Sequence, residues 1–491
     1  MKQHVKKTLS ILLSVIMIVG TLCATALAAP ADISDHTYDA YQIFEGSLGA
    51  DGKIGQITWG RGVQGNDLLA DLKDKMDAFD NCATAADAAK VFGTLGEDDL
   101  KAAEKIIYNH LASSPTFSNV TDNDNLMVNG KAGYFLLVDK TSTQNGTNTV
   151  KNLLILKVTD PNGITIRSKV DVPSVEKKVM DKDDTTPVTE KWQDSADYDI
   201  GDDVPFKLTA NLATISDYET YKIIFNDTLS AGLTYNDDAK VYVDGNYKGT
   251  ITGATSSGSN GQTNLKFTID DVKSAPYGAT DNSVVTIEYT AKLKDNAVCG
   301  SAGNPNTVYL QYSNNPFQSG EGNTNIGQTP EDKVTVFTFI FTIEKTDDQG
   351  NALNGASFTL SKNNNGTYEP ISTIDGTRLH TFTWTGLDAG TYKLEETTVP
   401  AGYNKADDVI FTISATHDAD KADPQLLTLS CDPDTMSVNF ADGIISGTIK
   451  NMPGVELPET GGTGTTIFYV VGSLMLLGAV VVLVAKRRMV D

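Results

Sequence analysis

The sequence predicts a mainly β protein: tandem immunoglobulin-like β-sandwich domains, the first with inserted helices, framed by an N-terminal signal peptide and a C-terminal transmembrane helix. Three observations predict it. Short runs of alternating apolar and polar residues recur along most of the chain, cut by Gly, Asn, Asp and Ser turns. One stretch, Asn66 to about Ala112, changes to apolar spacings of three and four. Both ends carry an apolar run beside basic residues, whereas the long middle is acidic.

The ends fix the compartment. Lys2, Lys6 and Lys7 precede an apolar run from Leu9 to Leu22 and then Ala26-Leu27-Ala28, the charge, core and small-residue pattern of a secretory signal over residues 1–28. Thr466 to Ala485 is long and apolar enough to cross a bilayer, and Lys486-Arg487-Arg488 behind it holds the tail on the cytoplasmic side. With both ends basic, the whole chain's formal charge of −24 becomes −29 for residues 29–460 once the +3 of the signal and the +2 of the tail are set aside. Nucleic acid is excluded as a partner, because neutralising phosphate needs the opposite sign. Cys23 leaves with the signal; Cys82, Cys299 and Cys431 remain, an odd number that forms no disulfide framework and reads as buried free thiols.

The exported length suits about two to four domains, each with its own core. An N-terminal domain over 29–172 has strands such as "TYDAYQIFEG" and "GYFLLVDKT" around two or three inserted helices. Pro173 opens a second unit, 173–335, whose runs "DVPFKLTANL", "YKIIFNDTL", "SVVTIEYTAKL" and "NTVYLQYSN" have sandwich spacing. The third, 336–453, repeats the pattern in a shorter length, and residues 454–491 hold the end signal.

Few constellations could carry chemistry. Gly60-Arg61-Gly62-Val63-Gln64-Gly65 is a GxGxxG between strand and helix, but no parallel βαβ unit follows, so it reads as a glycine-rich connection. His4, His36, His110, His380 and His417 lack metal-ligand spacing, and no Gly-x-Ser-x-Gly occurs. No cofactor and no metal are expected, and the chain does not read as an enzyme.

Lysines and carboxylic acids on inward faces are the informative set. In "TFIFTIEKTD" the period of two puts Lys345 on the face of Phe339, Phe341 and Ile343; in "YKLEETTVPAGY" Glu396 shares the face of Leu394; Asn451 closes the final strand. Burying a lysine with a carboxyl drives both towards neutrality. A neutral amine can then attack an asparagine carboxamide, with the acid shuttling a proton, and leave an isopeptide bond. A buried ion pair beside an unrelated asparagine has the same spacing. In "PSVEKKV", Lys177 shares a face with Val175 and Val179, whereas Lys178 faces the other way and reads as a charge in water.

Leu457-Pro458-Glu459-Thr460-Gly461, an apolar span and a basic tail follow one another in that order. This arrangement resembles the sorting signal of proteins that sortases attach to the Gram-positive cell wall, which implies cleavage between Thr460 and Gly461. "Y-x-L-x-E-x-x-x-P-x-G-Y", from Tyr392 to Tyr403, resembles the glutamate box of Gram-positive pilins, with Val399 where alanine is usual. "EKTDDQGNALNGASFTL" resembles the start of an isopeptide-forming collagen-adhesin B-type domain, and the second unit resembles the A-type. The chain is therefore similar to sortase-assembled pilus backbone pilins. The resemblance implies Lys345 and Asn451 as bond partners with Glu396 as the acid, and Lys177 and Asn306 with Asp227. Glu288 and Asn304 compete in the second unit.

In such shaft pilins a lysine in a "YPKN"-like motif receives the threonine of the next subunit. That motif is missing here; Lys169 stands in its place, with Lys178 and Lys151 competing. The implied function is a structural major subunit of a covalent pilus. Its implied partners are sortase, other copies of the pilin, minor pilins, peptidoglycan and host surface ligands. The alternative is a wall-anchored adhesin or a minor tip or base subunit.

Overall fold

The structure, a computed structural model, describes residues 36–455 and 463–489, apart from 122–123, 142, 145–146, 149, 151–152, 161, 165, 167–171, 184–188 and 319–325. The signal sequence, Lys151, Lys169 and Leu457–Gly461 lie outside the described residues.

The first unit is a five-stranded antiparallel sheet in which Tyr38–Leu48 pairs with Ile54–Trp59, Phe117–Val120 and Ala132–Asp139, and the last of these pairs with Leu153–Val158. One face packs Ile43, Phe44 and Leu136 against Leu68 and Leu72 of helix α1 (Gly65–Lys75), Ala88 of α2 (Ala85–Phe92) and Ile107 of α3 (Glu97–Asn109). The opposite face holds a second cluster around Tyr38, Phe135 and Leu137. A capping box starts α2: the Asp87 amide donates to Thr84 Oγ1 (3.2 Å) and the Thr84 amide to Asp87 Oδ2 (3.0 Å).

The GxGxxG segment is a packing device. A Cβ at Gly60 would lie 2.4 Å from the Gln42 carbonyl oxygen, at Gly62 2.2 Å from the Gln42 nitrogen, and at Gly65 2.3 Å from the Trp59 ring. The three glycines are pressed against the first two strands and leave no room for a side chain at those positions.

The second unit consists of two seven-stranded sheets around one core that includes Phe206, Phe225, Phe267 and Tyr312. Alternation in the sequence is the cause, since Asp203–Asn211 and Val284–Leu293 bury every second residue. The strand containing Asn306, Asn304–Ser313, reads in sequence as the last of this unit, yet Ile326–Gln328 and Asp332–Phe337 both pair with it. Asp332–Phe337 also runs through the expected boundary at 335.

The third unit packs a four-stranded sheet on a five-stranded one. Its first strand, Phe339–Thr346, pairs in parallel with its last, Ile444–Lys450. The junction with the second unit is polar and close. Lys362 Nζ lies 2.8 Å from both Asp199 Oδ2 and Asp388 Oδ2, the Asp388 amide donates to Asp199 Oδ1 (3.0 Å), and His417 Nδ1 is 2.7 Å from Ser195 Oγ. The first and second units meet through α3, where Lys101 Nζ is 3.0 Å from Asp217 Oδ1 and the rings of Tyr108 and Phe317 lie 5.4 Å apart. Thr463–Arg488 is a single helix whose apolar residues are exposed along its length, with Lys486, Arg487 and Arg488 in its last turn.

Candidate functional site

Two buried polar clusters stand out, one in each sandwich. In the second unit Lys177 is brought to the core by Ser174–Asp183, where it pairs with Leu208 in an otherwise apolar layer. It is fully buried, at 0% exposure. Asp227 and Asn306 reach it from the facing sheet, on the neighbouring strands Ile223–Leu229 and Asn304–Ser313. Lys177 Nζ donates to Asp227 Oδ2 and to Tyr289 Oη (3.2 Å); Tyr289 Oη donates to Asp227 Oδ2 (3.0 Å); Asn306 Nδ2 donates to Tyr289 Oη (2.8 Å). The Phe206 and Tyr289 rings lie 5.3 and 5.5 Å from the amine.

The electrostatics follow from that enclosure. Burial lowers the Lys177 pKa from the usual lysine range, against the opposing pull of Asp227 and Asp332. Burial also raises Asp227, against Lys177 and Tyr289. Both shifts favour moving the shared proton from Nζ to the carboxyl, which leaves a nucleophilic amine. Asp227 Oδ1 and Asn306 Oδ1 are buried without a hydrogen-bond partner among the described residues.

The competing candidates are placed elsewhere. Glu288 faces outward and pairs with Lys207 at 2.8 Å. Asn304 is buried, but its amide is engaged with the Val298 backbone at both ends (2.9 Å each) and with the Val336 carbonyl (3.2 Å). Lys178 corrects its sequence reading: it is not simply a charge in water. Its amine lies 2.7 Å from Asp194 and 3.1 Å from Glu176, and these acids, outweighing partial burial, hold its pKa above the usual lysine range.

In the third unit Lys345 lies on the inward face of Phe339–Thr346, in register with Ile449 of the last strand, two residues before Asn451. Its amine donates to the carbonyls of Thr346 and Ile449 at 3.3 Å each. Asn451 Nδ2 donates to Glu396 Oε1 (2.9 Å) and Oε2 (3.2 Å), and the Ala406 amide fixes the same carboxyl at 2.7 Å. All three side chains are buried, Asn451 Oδ1 without a partner among the described residues. Burial lowers the Lys345 pKa, with the Glu396 charge opposing it. Here the lysine and asparagine belong to neighbouring strands of one sheet and the acid to the other.

Comparison with known proteins places the fold and the anchor. Residues 339–424 match the SpaA prealbumin-like fold domain, and residues 453–491 match the LPXTG cell wall anchor motif. The chain is an LPXTG-anchored surface protein of pilin architecture. It is 26% identical over 397 residues to the trypsin-resistant surface T6 protein of Streptococcus pyogenes serotype M6, covering 66% of this chain and 71% of that one. The solved T6 backbone pilin of the same serotype, described as a modular three-domain structure, covers 86% of this chain and 96% of its own at 18% identity, with a TM-score of 0.53. The Corynebacterium diphtheriae major pilin SpaA covers 85% and 94% at 13% identity, with a TM-score of 0.46. The chain is thus mainly β, carries its apolar helix at the anchor, and belongs on the cell surface.

Sequence reasoning missed Tyr289. The signal was present, since the alternation that turns Glu288 outward turns Tyr289 into the core with Val285 and Ile287.

Proposed function

We propose that this protein is the structural major subunit of a sortase-polymerised pilus, made rigid by a Lys177–Asn306 bond in the second sandwich and a Lys345–Asn451 bond in the third. The observation that carries the reading is the twice-repeated buried set of lysine, carboxyl and asparagine in a wall-anchored chain. In each, the neutral amine attacks the carboxamide carbon, the carboxyl relays a proton, and ammonia departs. The reaction occurs once per molecule.

Between subunits, sortase forms an acyl-enzyme at Thr460 and passes it to Lys169 of another copy, and the finished fibre is transferred to peptidoglycan. Minor pilins and host surface ligands complete the set of partners. Lys178 is the weaker acceptor because two acids already hold its amine. The test is expression of Lys169→Ala in a pilus-forming host: high-molecular-weight ladders should vanish while wall-attached monomer persists. Ladders of unchanged length would sink Lys169 as the acceptor, and a wild-type chain found only as monomer would sink the shaft reading.

A further inference from the structure

We propose that Tyr289 is a catalytic residue of bond formation in the second sandwich, the proton donor to the departing Asn306 nitrogen. The inference rests on the Lys177–Asn306 reading above and assigns a role to a side chain outside the lysine, acid and asparagine. Its hydroxyl touches all three reacting groups: Lys177 Nζ at 3.2 Å, Asp227 Oδ2 at 3.0 Å and Asn306 Nδ2 at 2.8 Å. Tyr289 is 2% exposed and the other three are at 1% or less, so water is kept from competing as the proton source.

The distances separate two tasks that a single carboxyl would otherwise share. Asp227 lies against the amine, whereas Asn306 Nδ2 donates its hydrogen bond to Tyr289 Oη. The nitrogen that must leave as ammonia therefore has a hydroxyl beside it. The sequence of transfers balances. With the amine neutral and Asp227 protonated, Nζ attacks Cγ and the carbonyl electron pair moves onto Oδ1. Tyr289 gives its proton to Nδ2 and takes the proton of Asp227, and Asp227 takes one from Nζ. The carbonyl re-forms as the Cγ–Nδ2 bond breaks. An amine and a primary amide become a secondary amide and ammonia, with Tyr289 and Asp227 as they began and nothing oxidised or reduced. Burial and the nearby Asp227 charge hold the Tyr289 hydroxyl well above the usual tyrosine range, so between transfers it keeps its proton.

The third sandwich does without such a relay, because Asn451 Nδ2 contacts Glu396 directly. This difference supplies an internal control. The full chain is pulse-labelled, and the Lys177–Asn306 and Lys345–Asn451 cross-linked peptides are followed by mass spectrometry in wild type, Tyr289→Phe and Lys177→Met. Tyr289→Phe should slow the first cross-link by about 100-fold or more, the scale of lost general acid catalysis, and leave the second at wild-type rate. Unchanged kinetics of the first cross-link would overturn the role. So would proteolysis of the second sandwich in Tyr289→Phe under conditions that spare Lys177→Met, since that outcome makes Tyr289 a packing residue. Absence of the Lys177–Asn306 peptide from wild type would instead remove the reading on which the role rests.

Discussion

At the scale of the residue, each of the two clusters places a lysine, a carboxyl and an asparagine together inside an apolar core. A lysine with no exposed surface costs free energy as a cation, and the carboxyl near it in each sandwich offsets part of that cost. The bond proposed above would be the permanent solution, since a secondary amide carries no charge. Asn451→Ala should leave Lys345 and Glu396 buried with the acceptor gone. The lost cross-link closes a loop of roughly 100 residues, worth about 5 kcal/mol in the chain-entropy account. The third sandwich should therefore melt well below wild type in calorimetry, and an unchanged transition would count against the bond. The inward faces of Lys177, Lys345 and Glu396 were legible in the sequence because a period of two assigns a face to each strand residue. The convergence on Tyr289 was not, because it depends on which strands oppose one another across the core. Nor was the pairing of Lys178 with Asp194, 16 residues further along, which depends on how the chain turns back beside the strand of Lys178.

At the scale of the element, α3 joins two units and carries a half-buried acid. Burial pushes the Glu104 carboxyl up to about 7, against the Ile155 backbone hydrogen bond and Lys101. Because the folded value lies above the unfolded one, the folded state holds more protons between pH 4.5 and 7. Stability is then fully present below pH 4.5 and falls as pH rises through 7, by at most on the order of 3 kcal/mol. Glu104→Gln should flatten this slope in denaturant titrations of the full chain from pH 4.5 to 8; a slope that persists would assign the effect to another group. The helix period of α1 to α3 was plain in the sequence. The strand Asp332–Phe337 was missed as the closing member of the second sandwich, since its short apolar run merges with the first strand of the third at Phe337-Thr338-Phe339.

At the scale of the molecule, charged side chains bridge the junction of the second and third units. Lys362 sits between Asp199 and Asp388, and burial together with the Asp199 charge pushes Asp388 well above the carboxylate range, with Lys362 opposing. Lys362→Met would leave two acids facing each other across the junction. The Asp388 and Ala389 amides, which donate to Asp199 and Asp197, should then exchange their hydrogens about tenfold faster or more, since roughly 1.4 kcal/mol of local opening suffices for that factor. The core strand Gly390–Thr398 should keep its protection. Equal protection in wild type and variant would show that the junction is held by its apolar and backbone contacts alone.

The parallel pairing of the first and last strands of the third sandwich also sets a clock on export. Phe339–Thr346 can pair with Thr381–Leu387 early, but its parallel neighbour Ile444–Lys450 must cross the membrane before the sheet closes, and by then only a few residues separate that strand from the sorting signal at Leu457. The chain can thus thread outward unfolded and unbonded, and Lys345 meets Asn451 only after the translocation channel has released almost everything but the tail. Completion of the last bond and presentation of the cleavage motif become nearly simultaneous events, so a sortase waiting at the membrane would receive subunits whose final sandwich has only just closed.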